Sequence, residues 1–421
     1  MTQSQPATSK VTADDTSLRC CIAARIAETP QQRVTFATFM EWALYEPELG
    51  YYIAQRQKIG AGGDFVTSPH LGADFGELLA EQFLDLWTSL ERPSVFQVVE
   101  MGAGQGLIAA DVLGYLCDRS TLISHPSSNP DYTAFWNALE YIIIEKASVL
   151  IAEQQHKLKP FAADHKITWK TWEDISNQSI TGCFFSNELV DAFPVHRIEI
   201  QTGRVQEVFV TVAAHPMSAT PVLDPIQFTE VVAEPSTPAL QQYLESLNLD
   251  LASYPDGYRS EINLAALDWL ATVSQKLSHG YVLTIDYGYT AAQYYSPQRH
   301  QGTLQCYYQQ AHHEDPYWAV GQQDITAHVN FTALQQQGKQ LGLQNISYVQ
   351  QGLFLMALGL GDRLNLNAAS AVNFMDILRR REALHALINP LGLGGFGVLL
   401  QGTAKTPSLK EYPFKGIKSI T

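Results

Sequence analysis

The sequence predicts an α/β fold built on a mostly parallel, Rossmann-like sheet. From residue 95 onward, short apolar runs alternate with helical apolar spacing, which is typical of parallel strands joined by helices. A glycine-rich turn follows the first of these runs. Hydrophobic residues make up 46% of the 421-residue chain and charged residues 16%, so a sizeable core can be buried.

The strands of the predicted sheet are short, apolar and spaced along most of the chain. They are expected at residues 95–99, 141–144, 167–169, 183–185, 281–285, 345–348 and 396–400, with the last strand antiparallel.

Helical spacing is also present outside the predicted sheet. It covers residues 18–44, and a helix is expected to begin at Pro69 with Ser68 as its N-cap. Between the fourth and fifth strands the sequence predicts a β-hairpin centred on Thr202-Gly203 and a helix over residues 264–277.

These elements predict a division of the chain into a core with additions. The predicted parts are a flexible tail (1–17), an N-terminal helical region that covers substrate and cofactor (18–93), a Rossmann-like core (94–200 and 280–402), a β/α insertion (201–279) and a C-terminal tail (403–421).

The net charge of the chain limits the classes of substrate that it is expected to bind. The net charge of −15 disfavours a nucleic-acid substrate and favours a cationic one. No apolar run is long enough to predict a membrane span, and residues 1–17 resemble neither a signal peptide nor a transit peptide.

The five cysteines contain no CxxC pair and no Cys/His cluster with zinc spacing, which favours a reducing cytoplasm and no structural metal. We expect His312 and His313 to be a solvated pair in a polar loop rather than ligands.

The first strand ends at Glu100, and Gly102, Gly104 and Gly106 follow before a helix. Glycines at such a turn let the backbone approach a ligand closely. The dinucleotide fingerprint needs another glycine where Leu107 stands, so this motif favours S-adenosylmethionine over NAD. The alternative is a glycine turn that binds nothing.

Glu145 ends the second strand and is expected to accept hydrogen bonds from the ribose hydroxyls of the cofactor. It lies farther from the glycine turn than is usual, which we attribute to a polar loop insertion over residues 118–131. The alternative is a solvated carboxylate at a strand end.

The fourth strand ends in Asn187 and Glu188, with Asp191 shortly after it. Ligands bind beyond the carboxyl ends of strands in open α/β sheets, and two acids there suit a guanidinium. We therefore expect Glu188, Asn187 and Asp191 to be catalytic. The alternative is a helix N-terminus that carries acids. Asp286 ends the fifth strand and could face the substrate, whereas Asp324 could merely N-cap a helix.

Several motifs resemble the MidA family of methyltransferases, which includes a mitochondrial complex I assembly factor. The matching stretches occur in the family's order between about residues 20 and 400. They lie at 43–52, 63–69, 75–76, 100–106, 187–195, 285–289, 302–304 and 323–331. The sequence departs from the family at Asn330, where aspartate is usual, and at Val320, where proline is expected.

The resemblance implies a class I methyltransferase fold, S-adenosylmethionine as cofactor and formation of ω-N-dimethylarginine on a complex I-type subunit. It adds further expected cofactor residues, which are Gly63, Asp64, Thr67, Ser68 and Pro69. The weaker substrate candidates are Asp286, Glu261, Asp324 and His328.

Two alternatives stay open at this stage. The enzyme could methylate a small molecule, or the chain could be an assembly chaperone that keeps the fold without turnover. The expected partner is a protein with an exposed arginine. The sequence leaves the oligomeric state open, with a dimer possible.

Overall fold

The structure is a computed structural model that describes residues 13–54, 67–121, 130–213, 226–250, 253–309, 311–365 and 374–417. The predicted cofactor residues Gly63 and Asp64 lie outside the described residues. Among the helices that are described, none is long and apolar enough to cross a bilayer.

The α-helices of the described residues are numbered in chain order. They are α1 (Ala13–Glu28), α2 (Phe36–Tyr45), α3 (Tyr51–Ala54), α4 (Asp74–Ser89), α5 (Leu107–Thr121), α6 (Pro130–Ala138), α7 (Ser148–Lys157), α8 (Lys159–Ala163), α9 (Ala239–Ser246), α10 (Leu264–Lys276), α11 (Ala291–Tyr294), α12 (Phe331–Gln340), α13 (Gln351–Ala357), α14 (Leu360–Asn365) and α15 (Phe374–Ile388).

The strands are numbered in the same way. They are β1 (Val34–Thr35), β2 (Phe96–Met101), β3 (Leu139–Ile144), β4 (Ile167–Lys170), β5 (Ile180–Asn187), β6 (His196–Gln201), β7 (Arg204–Val212), β8 (Phe228–Ala233), β9 (Arg259–Ile262), β10 (Leu277–Asp286), β11 (Gly288–Tyr289), β12 (Gln305–Tyr308), β13 (Ala311–His313), β14 (Asp324–Thr326), β15 (Val329–Asn330), β16 (Leu343–Gln350) and β17 (Gly397–Thr403).

The chain divides by contacts into two compact units. The first takes the described residues within 1–58, 192–264 and 295–327, and the second takes those within 59–191, 265–294 and 328–421. The predicted domain bounds, which follow sequence order, stay a prediction.

The second unit contains a seven-stranded sheet in the order β16-β17-β10-β5-β2-β3-β4. Strands β10, β5, β2, β3 and β4 are parallel, and β17 runs antiparallel between β10 and β16. The predicted mostly parallel sheet with an antiparallel last strand is thus confirmed. Strand β2 lies between β3 and β5, so the strand order reverses there, and such a switch point is where open α/β sheets bind ligands.

Helices α4 and α5 pack beside each other in this unit because a glycine lets them approach closely. A Cβ added at Gly76 would lie 2.5 Å from the Cβ of Asp111. Phe75, Leu79 and Phe83 share one face of α4 at helical spacing and are buried. Burial of each such side chain contributes about 1.5–3 kcal/mol to folding.

The first unit contains an antiparallel sheet in the order β1-β7-β6-β9, with β8 also paired to β7. The predicted hairpin is formed by β6 and β7, and Gln201 pairs with Arg204 across the Thr202-Gly203 turn. Helix α1 buries Leu18, Ile22 and Ile26, which share one face at helical spacing.

The predicted helical stretch over residues 18–44 is divided into α1 and α2. The second helix has its own N-cap, because the Thr35 hydroxyl accepts a hydrogen bond from the Thr38 amide at 3.1 Å.

The helix expected from Pro69 is also shorter than predicted. The structure has a 3₁₀ turn over Ser68–Leu71, so Thr67 and not the predicted Ser68 is at the N-cap position. The turn ends at Gly72, whose φ of +134° is incompatible with a continued helix. Helix α4 then begins separately at Asp74.

Two local predictions were wrong in their secondary structure, and a third concerns a stretch that is described only at its ends. Asp324 does not cap a helix but begins β14, and the cap of α12 is Asn330, whose side-chain oxygen accepts from the Ala333 amide at 3.3 Å. His312 and His313 lie in β13, paired with β12. The stretch 118–131 is helical at both described ends, in α5 and α6.

Candidate cofactor and substrate site

At three positions, the glycine turn between β2 and α5 adopts a backbone conformation that only glycine takes readily. The φ angles of Gly102, Gly104 and Gly106 are +70°, +52° and +70°. A Cβ at Gly102 would lie 2.7 Å from the Leu189 side chain, whereas a Cβ at Gly104 would meet no atom of the described residues within 4 Å. The turn is therefore packed on protein at Gly102 and faces open space at Gly104.

Glu100, near the end of β2, is buried and bound within the core. Its Oε2 accepts a hydrogen bond from the Tyr141 hydroxyl at 2.9 Å. Burial raises the pKa of Glu100 to about 7, and the charge of Glu145 adds to this shift. Glu100 is thus held in the core by Tyr141, and its carboxyl is partly protonated near pH 7, while its predicted role in cofactor binding stays a prediction.

Glu145 follows β3, next to β2 in the sheet. Its Oε1 accepts from the amides of Lys146 at 2.8 Å and Ala147 at 3.0 Å, which fixes the carboxylate at the start of α7. Its Oε2 receives a long contact of 3.5 Å from Gln154 Nε2. Burial raises the pKa of Glu145. The geometry leaves Oε2 as the oxygen best placed to accept from a ligand hydroxyl.

Glu188 follows β5 in a strained backbone conformation, with a φ of +52° that is uncommon for a residue with a side chain. Its Oε1 accepts from Asn187 Nδ2 at 3.1 Å and from the Ser68 amide at 3.4 Å. Burial raises the pKa of Glu188 to about 8, and the nearby charge of Asp191 contributes. A cation that bound here would favour the ionised form.

Asp286 and Asp191 complete a group of carboxylates with Glu188. The Oδ2 of Asp286 accepts from the consecutive amides of Leu189, Val190 and Asp191 at 2.9–3.3 Å, so Asp286 holds the turn after β5. Asp191 accepts from the Tyr287 hydroxyl. The structure therefore brings Glu188 and Asp191 together as predicted, but gives Asp286 a role in positioning backbone.

The described part of the 63–69 motif lies beside the end of β5. Ser68 is fully buried, and its hydroxyl accepts from Gln351 Nε2 at 3.3 Å. The Thr67 hydroxyl pairs with His70 Nδ1 at 2.7 Å, and Pro69 is within the 3₁₀ turn. Through the Ser68 amide, this motif contacts Glu188 directly.

His328 is in the same unit and lies among aromatic rings. Its ring stacks on Tyr289 with centroids 4.9 Å apart and meets Tyr287 edge-on at 5.0 Å. Tyr287 is thus shared between His328 and Asp191, which links the predicted weaker substrate residue to the carboxylate group.

Glu261 and Asp324, the other weaker candidates, belong to the first unit and are engaged inside it. Glu261 is buried, and its Oε2 accepts from the Thr303 amide at 2.7 Å and hydroxyl at 3.0 Å. A Cβ at Gly302 would lie 2.2 Å from Glu261 Oε1. Asp324 accepts from the Tyr52 hydroxyl at 2.8 Å. Their substrate roles stay a prediction.

Comparison with known proteins identifies the class of enzyme. Residues 78–349 match the model of a family of S-adenosyl-L-methionine-dependent methyltransferases. The chain belongs to this family.

Two curated relatives and one solved structure resemble this methyltransferase over most of its length. "Protein arginine methyltransferase NDUFAF7 homolog, mitochondrial" from Drosophila melanogaster is 27% identical over 399 residues, 92% of this chain and 85% of that protein. The Rattus norvegicus protein of corresponding name is 27% identical over 380 residues, covering 86% and 79%.

The structural comparison agrees with these sequence matches. A crystal structure from Burkholderia thailandensis, bound to S-adenosyl-homocysteine, superposes with a TM-score of 0.78 at 28% identity and covers 96% of this chain and 95% of its own. The resemblance to the MidA family, the class I methyltransferase fold and the cofactor S-adenosylmethionine are thereby confirmed.

The residues of the methyltransferase fit this cofactor. Gly104 offers open space for close backbone approach, and Glu145 Oε2 can accept from a ribose hydroxyl. The side-chain oxygen of Asn187 is buried and accepts no hydrogen bond from the described residues, so it suits a ligand that donates. No group of His, Cys, Asp and Glu side chains in the described part of the chain could hold a metal ion.

Sequence reasoning missed two residues that the structure places in this site, Gln154 and Tyr287. Gln154 is fully buried in α7 and contacts both Gly104 and Glu145. A signal was present, because Gln154 shares an apolar helix face with Ile151 and Leu158 at helical spacing. Tyr287 directly follows Asp286, but no pattern in the sequence indicates its contact with Asp191.

Proposed function

We propose that this methyltransferase is a protein arginine methyltransferase that forms ω-N-dimethylarginine on a subunit of a complex I-type enzyme and supports its assembly. The observation that carries the proposal is the half-buried Glu188 carboxylate beside Asp191, close along the sheet to the glycine turn. The names of the curated relatives, which are protein arginine methyltransferases, support the same substrate class.

The chemistry needs a nucleophilic nitrogen held in line with an electrophilic methyl group. S-adenosylmethionine supplies that methyl group from its sulfonium. A protonated guanidinium is a poor nucleophile, so the enzyme must orient it and favour loss of a proton. Two carboxylates suit this task, because a guanidinium offers a planar set of donors that pairs with carboxylate oxygens.

Glu188 is held ready for this role by its neighbours. Asn187 and the Ser68 amide both donate to Oε1 of Glu188. These two contacts fix the orientation of the carboxyl group and therefore also the position of Oε2. Because the pKa of Glu188 lies at about 8, its carboxyl is largely protonated at neutral pH without a bound cation. We expect a guanidinium to lower this pKa and to be bound by the ionised form.

We also propose that the reaction takes place in the cytoplasm. All five cysteines are free thiols, which is consistent with a reducing cytoplasm.

The variant Glu188→Gln tests the catalytic assignment. It keeps size and can still accept from Asn187 and Ser68, but it removes the charge. We expect S-adenosylmethionine affinity to stay nearly normal while methyl transfer falls by about a hundredfold or more. The matched control is Glu140→Gln, because Glu140 is an exposed glutamate near the start of β3. Near wild-type transfer by Glu188→Gln would refute the role, and collapse of cofactor binding would move Glu188 into the cofactor site.

Its pH dependence provides a second test. In the wild type, kcat/KM for methyl transfer should increase as pH rises through about 8, where Glu188 of the substrate-free enzyme ionises. The increase should be absent in Glu188→Gln.

The substrate class needs a separate experiment. Mass spectrometry of protein arginine methylation, in cells with and without this protein, should show dimethylarginine lost from a complex I-type subunit. A methylated lysine or a methylated small molecule would overturn the arginine assignment whatever Glu188 does.

A further inference from the structure

Helix α7 buries a glutamine where an apolar residue is the usual choice. Gln154 is fully buried, whereas Ile151 on the same face is only half-buried. A buried amide is costly unless its polar atoms are bonded, so its partners reveal what the position is for.

The partners of Gln154 are the two parts of the site that the sequence assigns to the cofactor. Its Nε2 donates to the carbonyl oxygen of Gly104 at 2.8 Å and lies 3.5 Å from Oε2 of Glu145. The position of a Cβ at Gly106 would be 3.3 Å from the Gln154 Cγ, so the side chain also packs on the glycine turn.

A third partner fixes which way the amide faces. The indole Nε1 of Trp169, in β4, donates to Gln154 Oε1 at 2.9 Å. An indole nitrogen can only donate, so Oε1 must face Trp169. The NH₂ group must then face the Gly104 carbonyl and the Glu145 carboxylate. The carbonyl can only accept, and the carboxyl group can only accept when Glu145 is ionised.

We infer that Gln154 is a positioning residue for S-adenosylmethionine, because it ties the glycine turn to the Glu145 carboxylate at the spacing that the cofactor requires. The inference rests on the proposed placement of the cofactor at Gly104 and Glu145. Gln154 acts through these two residues and through the orientation that Trp169 imposes.

The variant Gln154→Glu provides a test that a merely structural role would not mimic. An ionised glutamate would place an acceptor against the Gly104 carbonyl and a second negative charge beside Glu145. A protonated glutamate could still donate one hydrogen bond. Cofactor affinity should therefore fall by about tenfold or more at a pH of about 8 and recover as the pH is lowered to about 5.5.

The matched control is Gln155→Glu, the same substitution at the next residue, which is exposed. Its affinity should equal that of the wild type at both pH values. Gln154→Met removes the donor at similar length, and Trp169→Phe removes the donor that orients the amide. Both should weaken binding, and neither loss should reverse at low pH.

Calorimetric titration of the full chain with S-adenosylmethionine and S-adenosyl-homocysteine measures these affinities, and circular dichroism checks that each variant is folded. If Gln154→Glu does not fold, the loss expected of Gln154→Met and Trp169→Phe still decides the matter. Wild-type affinity in the folded Gln154 variants, together with weakened binding by Gly104→Val, would overturn the inference and leave the cofactor placement intact. If Gly104→Val and Glu145→Ala also bound normally, the placement itself would be wrong.

Discussion

The substitution Gly104→Val separates the cost of backbone strain from the cost of blocking a ligand. Gly104 has a φ of +52°, and a Cβ there would lie more than 4 Å from every atom in the described part of the chain. Valine should therefore cost about 1–3 kcal/mol of stability through the backbone alone. Its two methyl groups would extend into the open space that the cofactor needs.

A matched glycine lies elsewhere in the same unit. Gly342, after α12, has a φ of +83° and likewise meets nothing within 4 Å. Gly342→Val should show a comparable loss of stability and wild-type affinity for S-adenosylmethionine. Gly104→Val should lose at least about a hundredfold in affinity, which corresponds to about 2.7 kcal/mol.

Calorimetry with S-adenosylmethionine gives the affinity of each variant, and thermal unfolding without ligand gives the stability. Equal affinities for Gly104→Val and Gly342→Val would refute the placement of the cofactor over the glycine turn. A larger stability loss at Gly104 alone, with binding unchanged, would identify the turn as purely structural.

Two further predictions concern Glu145 and Glu100. Glu145→Ala should weaken S-adenosylmethionine binding by about 1–3 kcal/mol, while Glu140→Ala should not, and a titration that shows no difference would leave Glu145 as a strand-end carboxylate. The raised pKa of Glu100, about 7, means that the folded state favours the protonated acid, so stability should decrease as pH rises from about 4.5 to about 7. Chemical denaturation without cofactor should show a decrease of up to about 3 kcal/mol, which Glu100→Gln should abolish.

Much of the sheet could be predicted because its strands are buried on both faces. The run Tyr141 to Ile144 is apolar throughout and is flanked by polar residues, so its identity as a parallel strand is visible in the sequence. The strand-end rule then places Glu145 and Glu188 at the same edge of the sheet, which the structure shows.

Contacts between residues far apart in sequence could not be predicted in this way. Asp324 precedes a short apolar segment and could begin either a helix or a strand; its pairing with β12 decides the outcome. The role of Asp286 was equally hidden, because a strand-end carboxylate can face a ligand or hold a turn. Only the folded chain shows that it accepts from the amides of residues 189–191.

The close approach of Gly302 to Glu261 has a consequence for how this family can vary. Any side chain at Gly302 would collide with the buried carboxylate, and its φ of +80° disfavours other residues as well. Glu261 in turn takes its hydrogen bonds from Thr303, the next residue. The two positions should therefore change together in evolution, with a larger residue at 302 tolerated only where 261 has become small. Conservation of a sequence signature such as Gly302-Thr303 would thus reflect the packing of a buried carboxylate and not the binding of a substrate.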